Sequence, residues 1–118
     1  MAQQFSLADL RHFSGGTDNY YRHELTRMLY TDGVRYVADK AGAHWLIDKI
    51  ATHQMVDRFR REEFQVWKLM VTGSKALLTC DDGNDNVFHS EEITYTDFPA
   101  PGVKVFFSNG VIYLPEEH

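Results

Sequence analysis

The chain has 118 residues, one cysteine and a formal net charge of −5, which is length enough for a single domain, residues 1–118, whose core needs no cross-links. It holds no apolar run near the ~20 residues of a membrane-spanning helix, and its start, MAQQFSLADLRHF, lacks the basic and apolar blocks of a secretory leader, so a cytoplasmic protein is expected; the lone Cys80 fits a reducing compartment. Charge is uneven: residues 1–62 carry nine Lys/Arg against eight Asp/Glu and residues 63–118 carry three against nine, which disfavours a nucleic-acid surface in the second half, because phosphate binding needs clustered cations.

Residues 6–13, SLADLRHF, read as a short helix. Ser6 is placed to cap it, Asp9 follows three residues on, and Leu7, Leu10 and Phe13 fall near one face. Ser14-Gly15-Gly16 ends it, since glycine accepts the left-handed conformation with which helices finish; its N–H groups are also an anion cradle in principle, though termination is the commoner role. The stretch from His12 to His23, HFSGGTDNYYRH, poses a sharper question. Two imidazoles with Asp18 between them suit zinc or ferrous iron with open positions. No compact ligand spacing accompanies them, so a folded connector with hydrogen-bonded histidines is expected, and no metal or other cofactor. Residues 17–31 read either as loop or as loop plus a short helix around 20–28.

DGVRYVADKAGAHWLIDKIATHQ is the strongest helical signal. Asp32 is placed to cap it, and at 100° per residue Val34, Val37, Ala38, Ala41 and Trp45 share a face that Leu46 and Ile50 widen. Gly42 weakens it by ~1 kcal/mol against alanine. A rival reading makes residues 29–36 a hairpin on the Asp32-Gly33 turn; the helix is preferred because its period persists for several turns. The basic knot Arg58-Phe-Arg-Arg61, followed by Glu62 and Glu63, reads as a solvated connector.

Beyond residue 62 the period changes to two. FQVWKLMVT (64–72) sets Phe64, Val66 and Met70 on one face and Trp67, Leu69 and Val71 on the other, as in a strand covered on both sides. KALLTC returns, DDGNDN is a polar tip, and VFHS and ITYT are short strands or one strand broken at Glu91-Glu92. In the final hairpin Asn109-Gly110 suits a type I′ turn. That loop sets Phe107 opposite Ile112 and Val105 opposite Leu114, facing inward, with Phe106 opposite Tyr113 on the other side. The expected fold class is α+β: N-terminal helices (about 6–13 and 32–53) packed on a C-terminal antiparallel meander of four to five strands (about 63–72, 75–81, 86–96, 103–108 and 111–114).

Four blocks, His12-Phe13-x-Gly15, Leu29-Tyr-Thr-Asp-Gly-Val34, Trp45-Leu-Ile-Asp-x-Ile50 and Tyr95-Thr-Asp-Phe-Pro99, resemble the signature of a small bacterial family known only as a domain of unknown function. The blocks span most of the chain, and their order and spacing carry the resemblance. It implies a bacterial origin, sometimes on mobile elements, and brings no activity and no catalytic residues.

Chemistry must then be read from the residues. His44 and Asp48 are i, i+4 neighbours, and the helical angle puts Asp48 on the apolar face beside Trp45. It reads there either as a general base in a pocket or, more simply, as an acid at the edge of the face with a hydrogen-bond partner. His53 is expected to favour the helix end through the dipole. Cys80 faces His89 across a predicted hairpin, but alternation groups it with Ala76 and Leu78 as an inert core thiol. DDGNDN lacks the acid spacing of a calcium loop. Phe106, Val111 and Tyr113 form an apolar cross-strand group on the sheet face away from Phe107, for which a partner protein, a second copy, or the Tyr20-Tyr21 segment is the expected cover. The function expected first is thus a non-catalytic protein–protein interaction module, with Phe106, Val111, Tyr113, Tyr20 and Tyr21 as binding residues. The first alternative is a small enzyme using His12, His23, His44 or Asp48, between the 12–23 loop and the long helix, for acid–base or metal-assisted chemistry. The second is a weak nucleic-acid binder through Arg58, Arg60 and Arg61 with His53 and Gln54.

Overall fold

A computed structural model describes residues 19–117. The helix expected at 6–13, Gly15-Gly16, His12 and Asp18 lie outside the described residues. The described residues open with two short strands, β1 (Tyr20–Arg22) and β2 (Leu29–Thr31), followed by helices α1 (Asp32–Ala41), α2 (His44–His53) and the single turn α3 (Asp57–Arg60). Strands β3 (Phe64–Thr72), β4 (Lys75–Asp81), β5 (Val87–Ile93), β6 (Gly102–Ser108) and β7 (Val111–Tyr113) come next, and a 3-10 turn spans Pro115–Glu117. The seven described strands form one sheet in the order β1-β2-β7-β6-β3-β4-β5. Every pairing is antiparallel except β2 with β7, where Leu29 meets Val111 and Tyr30 meets Ile112 in parallel.

This overturns the expected arrangement of N-terminal helices on a C-terminal meander of four to five strands. The sheet is mixed and has seven described strands, two of which precede the described helices, which are three and short. Residues 20–22 and 29–31, read as loop or helix, are strands because β7 supplies their sheet from some eighty residues away; three residues are too few for alternation to show. Residues 86–96 give one strand ending at Ile93, without the second piece proposed near 93–96.

The long helix over 32–53 is also corrected. Gly42 adopts the left-handed conformation (φ 62°) and ends α1, and the N–H groups of Gly42 and Ala43 both return to the carbonyl of Ala38. Thr31, one residue before the expected Asp32, caps α1: its backbone is extended and its hydroxyl accepts from the Val34 N–H at 3.3 Å. A new axis after Gly42 resets the face. Leu46, Ile47, Ile50 and Ala51 become the buried stripe of α2, and Asp48 is thrown outward with a side chain 65% exposed.

The alternation of the later strands holds residue by residue. Trp67, Leu69 and Val71, Ala76, Leu78 and Cys80, Val103, Val105 and Phe107, and Ile112 all lie in the buried core with the apolar stripes of α1 and α2. Asn109 and Gly110 have positive φ, as a type I′ turn demands, and Phe107 pairs with Ile112 and Phe106 with Tyr113. The helices thus cover one face of the sheet, and among the described residues β5 and β1 are its two edges.

Candidate functional site

Three places gather the residues singled out in the sequence. The first is the sheet face opposite the helices. Phe64, Phe106 and Tyr113 form an aromatic row across β3, β6 and β7, with ring centroids 5.0 Å and 5.6 Å apart, and Val111 is half-buried at its end. Farther along β3, Met70 faces Leu77 of β4 in register, and the two remain 44% and 37% exposed. Beside them is an open hollow of about 460 Å³ whose rim includes Thr72, Lys75, Glu92 and Thr94. Among the described residues no strand pairs with the outer edge of β5. Tyr20 is exposed on β1, whereas Tyr21 turns to the helix side. Its ring packs on Tyr30 (5.7 Å), its hydroxyl donates to Asp32 (3.0 Å), and the Arg35 guanidinium lies over it at 4.5 Å.

The second place holds the histidine–aspartate candidates. His23 Nε2 meets Asp48 Oδ1 at 2.8 Å, and His44 lines the same hollow of about 330 Å³. His44, the i, i+4 neighbour of Asp48, bonds Asp39 at 2.6 Å. His23 Nδ1 accepts from the Thr26 N–H at 3.2 Å, so Nε2 carries the proton and donates it to Asp48. Both ring nitrogens are thereby engaged, and the pair clasps the 23–28 turn to α2.

The third place was not assembled from the sequence. Cys80 pairs with His89 in register, and alternation carries His89 and Glu91 to the helix side of β5. There they meet the last turn of α2. His53 and His89 rings lie 4.7 Å apart, and Glu91 Oε1 is 3.1 Å from His89 Nε2 and 3.8 Å from His53 Nε2. His53 Nδ1–H donates to the Lys49 carbonyl at 2.6 Å, as a histidine at a helix C-terminus can. Lys49 Nζ grips the other Glu91 oxygen at 2.9 Å. Burial pushes the Glu91 carboxyl upward, but hydrogen bonds from Lys49 and His89, together with the Lys49 charge, outweigh it and hold it below the usual glutamate range. Phe59 and Trp67 wall the notch at 5.0 Å and 5.5 Å from the His53 ring. Beneath it Gln54 and Gln65 exchange two 2.8 Å hydrogen bonds, Gln65 also donates to the Phe59 carbonyl, and Trp67 Nε1 donates to Gln65. This fully buried network ties α2 and α3 to β3. The His-x-Glu spacing within β5 was a legible signal; its meeting with His53 was not.

The remaining candidates have settled surroundings. Cys80 is fully buried, and desolvation, with the nearby Asp81 charge second, pushes its thiol far above the ordinary range. In DDGNDN, Asp81 and Asp82 accept from the N–H groups of Gly83 and Asn84 at 2.8 Å each, which are Asx turns. Arg58 pairs with Glu62 (2.6 Å) and lies over the Phe88 ring, and Arg60 pairs with Asp57 (2.5 Å).

A family model described as a family of unknown function, DUF6876, matches residues 4–118. The chain belongs to DUF6876. The resemblance read from the four sequence blocks, to a small uncharacterised domain family, is thereby borne out across nearly the whole chain. No curated protein and no solved structure matches this DUF6876 chain. No helix among its described residues is long and apolar enough to cross a membrane.

Proposed function

We propose that this DUF6876 domain is a non-catalytic protein-binding module of the bacterial cytoplasm, working through the outward face at β3–β5. The observation that carries the reading is the exposed Met70–Leu77 pair beside the outer edge of β5. A sheet edge offers a row of backbone donors and acceptors, and an extended segment of another protein satisfies them by adding a strand. Side chains of such a segment that point outward reach the hollow beside Met70 and Leu77, and Lys75 and Glu92 give it a polar rim. Sheet residues Phe106, Val111 and Tyr113 extend the same face beyond β3, and Tyr20 stands at its far edge.

The acid–base alternative keeps one support, the 2.8 Å contact of His23 with Asp48 beside an open hollow. The engagement of both His23 nitrogens weighs against it, because a proton-transferring base needs a free lone pair toward its substrate. The pairing of Arg58 and Arg60 with acids similarly weighs against phosphate binding.

The test is Leu77→Glu, at a side chain that already meets water. Affinity capture with the native chain and with the variant, compared at equal thermal stability, is expected to show a protein retained only by the native chain. Sedimentation across a wide concentration range separates a second copy from a foreign partner. Equal retention by both chains, or none by either together with a monomer at all concentrations, overturns the reading.

A further inference from the structure

We propose that His53, His89 and Glu91 form a binding site for one divalent transition-metal ion of the zinc class. Each residue offers a ligand atom, and the three atoms lie within 4.8 Å of one another at the rim between α2 and β5. Tetrahedral bonds of 2.0–2.1 Å separate neighbouring ligand atoms by about 3.3 Å. The 3.1 Å and 3.8 Å separations of Glu91 Oε1 from the two imidazole nitrogens bracket that value and all three atoms lie within 4.8 Å, so a small rotation of these side chains, each about a quarter exposed, closes the set.

The surrounding atoms orient these ligands as outer partners orient them in metal sites. The Lys49 carbonyl takes the Nδ1 proton of His53 and leaves its Nε2 lone pair toward the notch. Lys49 Nζ fixes Oε2 of Glu91 and leaves Oε1 toward the histidines. Phe59 and Trp67 supply the apolar wall, and the Gln54–Gln65–Trp67 network beneath holds α2 and the sheet at a fixed distance. Two imidazoles and one carboxylate select zinc-like ions over Ca²⁺ and Mg²⁺, which take oxygen ligands, and over Cu(I), which prefers sulfur. The ammonium of Lys49 strengthens that bias, since it penalises ions held by charge alone. Three protein ligands leave the fourth corner of a tetrahedron to water or to a donor from a bound molecule. On binding, the metal takes the place of the proton that His89 Nε2 directs at Glu91. That proton moves to Nδ1, and the imidazole remains neutral. The site lies on the helix side of the sheet, opposite Met70 and Leu77, so it stands or falls independently of the outward face.

Cobalt(II) titration of chelator-stripped, tag-free protein tests it through the visible absorption of the bound ion. The expected result is a saturable tetrahedral spectrum at one equivalent, displaced by Zn²⁺, and weakened more than about tenfold in His53→Gln, His89→Gln and Glu91→Gln but unchanged in His44→Gln. Because His53 packs on Trp67 and its variant can lose the fold, His89→Gln and an imidazole nitrogen NMR spectrum of the native chain serve as the second measurement. Zn²⁺ is expected to convert His89 from the Nε2–H to the Nδ1–H tautomer. No saturable spectrum, a spectrum indifferent to His89→Gln, or zinc-dependent changes confined to other histidines overturns the proposal.

Discussion

The carboxylate of Glu117 accepts the Thr31 hydroxyl at 2.6 Å across 86 residues of chain. The same carboxylate takes the N–H of Gly33 at 3.2 Å and that of Leu114 at 2.9 Å. A negative charge at the first turn of α1 also meets the positive end of the helix dipole. Glu117→Ala leaves three buried donors without an acceptor and is expected to cost about 1–3 kcal/mol. Gly33→Ala is expected to cost a similar amount, roughly 1–3 kcal/mol by overpacking, because an added methyl falls 2.6 Å from the Leu114 side chain and 2.8 Å from that carboxylate. Urea unfolding reads both as a lower midpoint at unchanged slope; a shift under about 0.5 kcal/mol in either speaks against the clasp.

Gly42 gives an experiment in which the sign decides. Within one continuous helix, Gly42→Ala stabilises by about 1 kcal/mol. At the left-handed hinge between α1 and α2 the same change is expected to destabilise by about 1–2 kcal/mol, since a Cβ clashes in that conformation. The thermal midpoint of the variant distinguishes the two.

Cys80 is expected to be silent. Its sulfur is fully buried and its thiol is held protonated by desolvation, so an aromatic disulfide reagent at pH 8 should label it only at the rate of global opening, and at once in concentrated urea. Rapid labelling of the folded chain would contradict the buried register of β4.

In the 81–86 tip, the side chain of Asn86, then the N–H of Asn84, hold the Asp82 carboxyl below its usual range. A depressed carboxyl contributes its support fully above the unfolded value, near ~3.9, and loses it as pH falls through the lower folded value. Carbon-detected NMR titration should therefore show Asp82 titrating below the ordinary aspartate range. Asn86→Ala should move Asp82 upward toward the ordinary value, and an unmoved midpoint would leave the Asx geometry unsupported.

Much of the sheet was legible because its strands state their own period. The alternation of residues 64–72 separates Trp67 from Val66 without any tertiary knowledge, and Asn109-Gly110 fixes which residues face each other in the last hairpin. What the sequence concealed is non-local. Tyr20–Arg22 and Leu29–Thr31 are strands because β7 lies beside β2, and no window of neighbours contains that fact. Gly42 bears a helix-compatible pattern on both sides, so the bend it makes is visible only as a small propensity cost. Asp48 was misplaced for that reason: the 100° count runs through the bend. Likewise His53 and His89 occur on elements 36 residues apart, and only the crossing of α2 over β5 brings them together.

The parallel contact between β2 and β7 has a consequence for biosynthesis. Of the described strands β7 is the last to leave the ribosome, yet it is the seam that joins β1 and β2 to the other four. Until it emerges, β2 has no strand but β1 to pair with, and Thr31 waits for a carboxylate not yet translated. Chain closure of that span is slow relative to local hairpins, so the nascent protein passes through an interval in which the three residues of β7 decide whether β1 and β2 have a sheet to join.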